Sequence, residues 1–228
     1  MKHYPKTATE RFDNAFFHIN YCLSFFKKYI KGNILEVGAG CGSFTKNYYN
    51  SQIENLILTE KDQKNINDLK KRFKKEKNIN ILNSSIEEVN EQCDTIIYLH
   101  VLEHIRDDIK ELENAKKKLA NNGHLIIMVP AHQKIFSNLD KAVGHFRRYE
   151  KEFFDKDFNS LKLVNFKYLD SMGYILYFLN RIFFKNETFP SKLKIFIWDK
   201  IFTPLSVIVD FLTLYRFGKC IIAVYKKF

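Results

Sequence analysis

The stretch ILEVGAGCGSFT, from Ile34 to Thr45, decides how this chain folds. Ile34-Leu35-Glu36-Val37 reads as an apolar strand carrying one acidic side chain. Glycines then stand at alternate positions, Gly38, Gly40 and Gly42, and a helix-compatible segment starts at Ser43. Glycine lets a chain turn sharply and lets backbone come close to a ligand, because no Cβ intervenes. A loop built for a pyrophosphate presents bare N–H groups and a helix N-terminus to anionic oxygens. The carboxylate of Glu36 instead suits a cationic or amine-bearing ligand. The dinucleotide fingerprint also needs a third glycine three positions after its second. Ser43 stands there, so that spacing fails.

Outward from this stretch, apolar strand candidates alternate with helical periodicity. The strands are 34–38, 56–60, 79–83, 94–100 and 124–129; helical segments lie at 43–53, 62–76, 86–91 and 106–120. Such alternation means βαβ crossovers and a parallel sheet. Runs such as IIYL and LIIMV suit strands covered on both faces. A helix at 151–160, a sixth strand at 162–169 and a seventh at 219–226 complete the pattern. Ahead of it, Phe12, Phe16, Ile19, Leu23, Phe26 and Ile30 recur at helical spacing over 10–31. The expected fold is α/β: a doubly wound, Rossmann-like seven-stranded sheet with a helical insertion between the last two strands. One domain spans 1–228, with an N-terminal helical cap at 1–31 and an insertion or lid at 171–216.

At 228 residues the chain can bury a substantial core. Cys22, Cys41, Cys93 and Cys220 show no metal-type or disulfide-type spacing, and the start lacks a signal peptide's apolar stretch. Both readings fit a cytoplasmic protein. The net charge of +11 favours anionic partners, although the run KKRFKKEK reads first as a solvated helix face. In the insertion, YILYFLNRIFF is too short to span a membrane, and Asp199, Lys200, Pro204 and Asp210 break the second apolar run. Amphipathic helices are expected there, as a packed cap or as a peripheral membrane-contact surface.

The string E-V-G-A-G-C-G resembles motif I of the class I S-adenosylmethionine-dependent methyltransferases. The resemblance implies that Glu36, Gly38, Ala39, Gly40, Gly42 and Phe44 hold the methionine end of that cofactor. Ligands of a doubly wound sheet bind at the carboxyl ends of its strands, so Glu60, with Lys61, is placed to hold ribose hydroxyls about 20 residues after the glycines. After strand three the family carries an Asp for adenine. Here Ser85 stands in that place with Ile86 beside it, which is a departure from the pattern. The string V-L-E-H-I after strand four resembles small-molecule methyltransferases, including ubiquinone-type O-methyltransferases. It implies that Leu99 and His100 lie by the cofactor and that Glu103 and His104 border the substrate. The same Glu-His pair also reads as a helix start. It offers two ligands to a metal with no third in view, so no metal is assigned. The early part is similar to the rRNA adenine dimethylases, but LHVLEH lacks their proline-containing string, and no nucleic acid is expected.

The loop VPAHQKIFSNLDKAVGHFRRYE resembles a subgroup with a G-H-x-R-R-Y pattern, many of whose members belong to glycan, polyketide-sugar or lipid-linked pathways. It brings Asp140, His145, Arg147, Arg148 and Tyr149 to the acceptor side. His145 is a candidate base, because histidine titrates near neutral pH, and Asp140 would orient it or act directly. The arginines would clamp an anionic group or rigidify the loop by pairing with Asp140 and Glu150. His132 is a second candidate base, and Tyr4 and Arg11 are expected to close over the cofactor. The expected function is methyl transfer from S-adenosyl-L-methionine to a small-molecule, sugar or lipid-linked acceptor at oxygen. An N-methyltransferase acting on an amino sugar, and a non-catalytic membrane- or nucleic-acid-binding module, are the alternatives.

Overall fold

A computed structural model describes residues 12–50, 53–156, 158–183 and 191–228. Tyr4 and Arg11 lie outside the described residues. The strands are β1 (Asn33–Val37), β2 (Asn55–Thr59), β3 (Ile79–Leu82), β4 (Cys93–Leu99), β5 (Leu119–Pro130), β6 (Leu161–Leu169) and β7 (Cys220–Lys227). They form one sheet in the order β3-β2-β1-β4-β5-β7-β6. β1 pairs in parallel with both β2 and β4, while β7 runs antiparallel between β5 and β6. This is the doubly wound, seven-stranded architecture that the sequence predicts. Strand order reverses between β1 and β4, which opens a crevice at their carboxyl ends.

Period-two side-chain alternation sorts the apolar runs onto two covered faces. Leu35, Ile57, Ile96 and Ile127 belong to one core, whereas Ile34, Leu56, Ile97 and Ile126 belong to the other. The helices on these faces are α1 (Phe16–Phe26), α2 (Thr45–Tyr48), α3 (Gln63–Arg72), α4 (Asp108–Lys118), α5 (Asn138–Val143) and α6 (Lys151–Phe154). Several are shorter than their periodicity predicts. Phe12 and Phe16 are exposed rather than part of the buried stripe, because α1 turns His18, Tyr21 and Cys22 inward with Ile19 and Leu23. The 86–91 segment keeps one 3-10 turn, Ile86–Glu88, closed by the reciprocal Ser85–Glu88 capping box.

Between β6 and β7 lie α7 (Ser171–Phe183), α8 (Lys192–Ile197), a π-helical turn (Trp198–Phe202) and α9 (Thr203–Leu212). Pro204 does not break this run. It opens α9, and the wider turn ahead of it absorbs the missing N–H. Asp210 accepts hydrogen bonds from Tyr21 OH at 2.8 Å and from the Asp170 and Ser171 amides at 2.7 and 3.0 Å. Asp170 in turn accepts from the Gly173 amide, Ser206 Oγ and Lys219 Nζ. Both aspartates are fully buried, so these bonds tie the insertion to α1 and to the start of β7. Among the described residues, no helix is long and apolar enough to cross a membrane.

Candidate active site

The glycine loop leaves β1 at the crevice. Gly38, Gly40 and Gly42 all have positive φ, which glycine adopts without strain. Their surroundings differ. A Cβ on Gly38 would lie 2.8 Å from Val101 Cγ2, and one on Gly42 would lie 2.9 Å from Leu69 and Phe73. A Cβ on Gly40 would meet nothing within 4 Å. Gly38 and Gly42 are therefore glycines for packing, whereas Gly40 borders open space.

Two carboxylates flank that space. Glu36 is buried, and its Oε2 accepts from Thr45 Oγ1 and Tyr48 OH, each at 2.6 Å. Burial pushes its pKa up to about 7 against those two bonds. Glu60 folds back under the loop: Oε2 accepts from the Gly40 amide at 2.8 Å, and Oε1 from the Lys61 and Asp62 amides at 2.7 and 2.8 Å. An ionised carboxylate has about four acceptor positions, so Glu60 is held in place with capacity to spare. Beside it, Thr59 Oγ1 and Ser84 Oγ are buried without hydrogen-bond partners.

The end of β4 supplies the opposite wall. His100 has φ of +58° and donates its amide to Met128 O. Glu103, in the 3-10 turn Leu102–His104, is completely buried. Burial opposes its ionisation, but the His100 ring, with Nδ1 3.4 Å from Oε1, and the neighbouring His145 and His104 outweigh that, and the carboxyl stays below its usual range. Burial pushes the His104 ring below its usual range.

Asp140 organises the G-H-x-R-R-Y loop. Its Oδ1 accepts from His145 Nδ1 at 2.8 Å and Arg148 Nε at 2.9 Å, and its Oδ2 accepts from the Ser137 amide at 2.8 Å and Tyr177 OH at 2.7 Å. Burial opposes its ionisation, yet the His145 bond and the Arg148 guanidinium hold the carboxyl well below the usual range. Arg148 also bonds Ala131 O and lies over the Tyr177 ring. Asp140 thus has no oxygen left for a substrate proton. It fixes His145 with Nδ1 engaged and Nε2 free to face Glu103 Oε1, 3.9 Å away.

These pieces share one cleft of about 1650 Å³. Of the residues singled out from sequence, Glu36, Gly38, Ala39, Gly40, Phe44, Glu60, Lys61, Ser85, Ile86, Leu99, His100, Glu103, His104, Asp140, His145 and Arg148 line it. Four do not line it. Gly42 packs against α3. His132 stacks on Tyr168 and meets Glu150 at 3.2 Å. Arg147 pairs with Asp108 at 2.8 Å, and Tyr149 OH donates to the same carboxylate. The Arg-Arg-Tyr run alternates in direction, so of these three Arg148 turns into the cleft.

A family model described as a methyltransferase domain matches residues 18–168, which hold the glycine loop, the Glu103 turn and the Asp140 loop. The chain belongs to this methyltransferase family. No curated protein sequence matches it. Solved structures of similar fold include the N-methyltransferase NodS from Bradyrhizobium japonicum WM9 in complex with S-adenosyl-L-homocysteine. It is 16% identical, with a TM-score of 0.59 over 92% of this chain and 85% of that one. Coclaurine N-methyltransferase, bound to N-methylheliamine and S-adenosyl-L-homocysteine, is 13% identical with a TM-score of 0.64 over 92% and 70%. The plantazolicin methyltransferase BpumL, in complex with S-adenosyl-L-homocysteine, is 15% identical with a TM-score of 0.55 over 97% and 85%. At these identities the likeness is one of fold.

The methyltransferase cleft has walls that sequence reading missed. Thr59 and Ser84 enter from the ends of β2 and β3, His18 from α1, and Tyr177, Trp198 and Lys219 from the insertion and the start of β7. Ser84 carried a signal, because it directly precedes the Ser85 already under scrutiny. Thr59, directly before Glu60, carried the same signal, whereas Tyr177, Trp198 and Lys219 carry none, since only tertiary packing brings them to the cleft.

Proposed function

We propose that this methyltransferase domain binds S-adenosyl-L-methionine and methylates an oxygen of a small or lipid-linked acceptor. One observation carries the reading: the open cradle at Gly40 and the fixed His145 Nε2 face into the same cleft. The residues fit the cofactor. Glu36 suits an α-amino group, and the acceptor position left on Glu60 suits a ribose hydroxyl. The orphaned Ser84 and Thr59 hydroxyls, with Ser85 and the buried Ile86, suit a purine edge and face. S-adenosyl-L-methionine supplies a methyl group on an electrophilic sulfonium. The acceptor oxygen takes the methyl carbon, the C–S bond breaks with its electron pair staying on sulfur, and the hydroxyl proton passes to His145 Nε2. Asp140 keeps the proton of the resting imidazole on Nδ1 and stabilises the cation that forms. The cleft holds these groups in line, which is the larger part of the catalysis. Asp140 in one hub with His145 and Arg148 of G-H-x-R-R-Y also supports membership of the lipid- and glycan-pathway subgroup.

Calorimetry tests the cofactor and yields a pH dependence. One molecule should bind per chain, and no binding at millimolar ligand would overturn the reading. Unliganded Glu36 holds its proton up to about pH 7, whereas an ammonium partner requires the carboxylate. Below that pH, binding must expel the proton, so affinity falls as pH falls. We expect roughly tenfold weaker binding at pH 6 than at pH 7.5, with proton release at pH 6 seen by comparing buffers. A pH-independent affinity would remove Glu36 from the amine site.

The lipid-linked acceptor has support of its own. From α8 to α9, Leu193, Phe196, Ile201, Leu205, Ile208 and Leu212 are all exposed and recur at helical spacing. Lys192, Lys194 and Lys200 accompany them on a chain of net charge +11. A helix with this pattern lies in the plane of an anionic bilayer. Flotation with phosphatidylglycerol-containing vesicles at low salt should carry the protein up, and Phe196→Ser with Ile208→Ser should abolish this. Equal flotation of the double variant would dismiss the surface.

A further inference from the structure

We propose that Glu103, His104 and His145 bind one divalent transition-metal ion in the wall of the cleft. Adjacent Glu103 and His104 are visible in the sequence as a pair. The fold adds His145 from the loop after α5, and one ligand atom from each residue lies within 4.8 Å of the other two.

The strongest sign is Glu103 itself. It is fully buried, and neither carboxylate oxygen accepts a well-formed hydrogen bond. The nearest ring nitrogens are His100 Nδ1 at 3.4 Å and His145 Nε2 at 3.9 Å. The imidazoles around it favour the carboxylate form but leave its oxygens without close partners, and a coordinated cation would supply one. The histidines are already oriented for this. His145 donates from Nδ1 to Asp140 at 2.8 Å, which leaves the Nε2 lone pair facing Glu103. A carboxylate fixing the far nitrogen of a histidine is the usual outer support of a metal ligand. His104 hydrogen-bonds the Gly144 backbone, and its ring meets that of His145 edge to face at 4.7 Å.

Two imidazoles and one carboxylate suit Zn²⁺, Fe²⁺, Mn²⁺ or Co²⁺ and leave coordination positions open. Metal–ligand bonds of about 2.0–2.2 Å draw the three ligand atoms closer together than they stand here. The open positions face the cleft, where they would take an oxygen of the methyl acceptor and acidify its hydroxyl. That role rests on the methyl-transfer reading, whereas the ion site does not. With the ion bound, His145 Nε2 is a ligand in place of the base, and the acidified hydroxyl would lose its proton to solvent water in the cleft.

The test is a titration of the chelator-stripped full chain with Co²⁺, read by visible d–d absorption, then by displacement with Zn²⁺. One Co²⁺ should bind per chain with bands of a four- or five-coordinate site, and His145→Ala should weaken it by at least about 100-fold. Asp140→Asn, which acts through His145, should weaken it about 10- to 100-fold. Should His145→Ala misfold by circular dichroism, the wild-type spectrum and stoichiometry still decide. No d–d bands at millimolar Co²⁺, or bands unchanged in a folded His145→Ala, would overturn the site. Calorimetry with S-adenosyl-L-methionine on the stripped protein keeps the two readings apart, because cofactor binding without metal binding sinks only the ion.

Discussion

Gly40→Leu is expected to fold and to lose S-adenosyl-L-methionine binding by at least about 100-fold, equivalent to about 2.7 kcal/mol. The Cβ of the new side chain meets no atom within 4 Å, and the chain beyond it projects into the space proposed for the cofactor. The left-handed backbone costs the fold about 1–2 kcal/mol. For a domain of this size that lowers Tm by roughly 2–8 °C. Gly38→Ala is the contrast, because its Cβ would stand 2.8 Å from Val101 and strain the fold itself. Calorimetry and thermal melts on both variants check the pair. A Gly40→Leu protein that binds the cofactor like wild type would show that the cradle is not the cofactor site.

Asp140→Ala should be the most damaging single change in the acceptor loop. It removes the partner of the Arg148 guanidinium, which is 7% exposed, and frees His145, Ser137 and Tyr177 together. Breaking a buried ion pair on one side costs about 3–5 kcal/mol, because the other charge stays buried. Tm should fall by roughly 6–20 °C, and turnover should fall with it, since His145 loses its fixed tautomer. Adding Arg148→Met to Asp140→Ala removes the orphaned charge and should recover part of the stability without recovering turnover. A Tm within about 2 °C of wild type for Asp140→Ala would mean that the loop does not depend on this hub.

Much of the core fold was legible because local patterns and global packing agree. The runs IIYL and LIIMV are apolar at successive positions because both faces of β4 and β5 are covered. The insertion was less legible. Asp199, Pro204 and Asp210 look like interruptions in the chain, yet the aspartates are buried and Asp210 caps the start of α7. A polar residue's partner forty positions away leaves no mark on its neighbours.

The stretch Ile34–Thr45 determined on its own that the chain would form a strand–glycine-loop crossover with an acidic side chain at its mouth. That information is local, because positive φ and absent Cβ atoms are demands that single residues meet. Tertiary structure decided what each glycine is for. Gly38 and Gly42 make room for Val101, Leu69 and Phe73, whereas a Cβ on Gly40 would meet only open space. It also decided the chemistry opposite the loop. Glu103, His104 and His145 converge only when α5 and its following turn fold back over the end of β4. Side-chain convergence depends on positions in space that spacing along a chain does not encode.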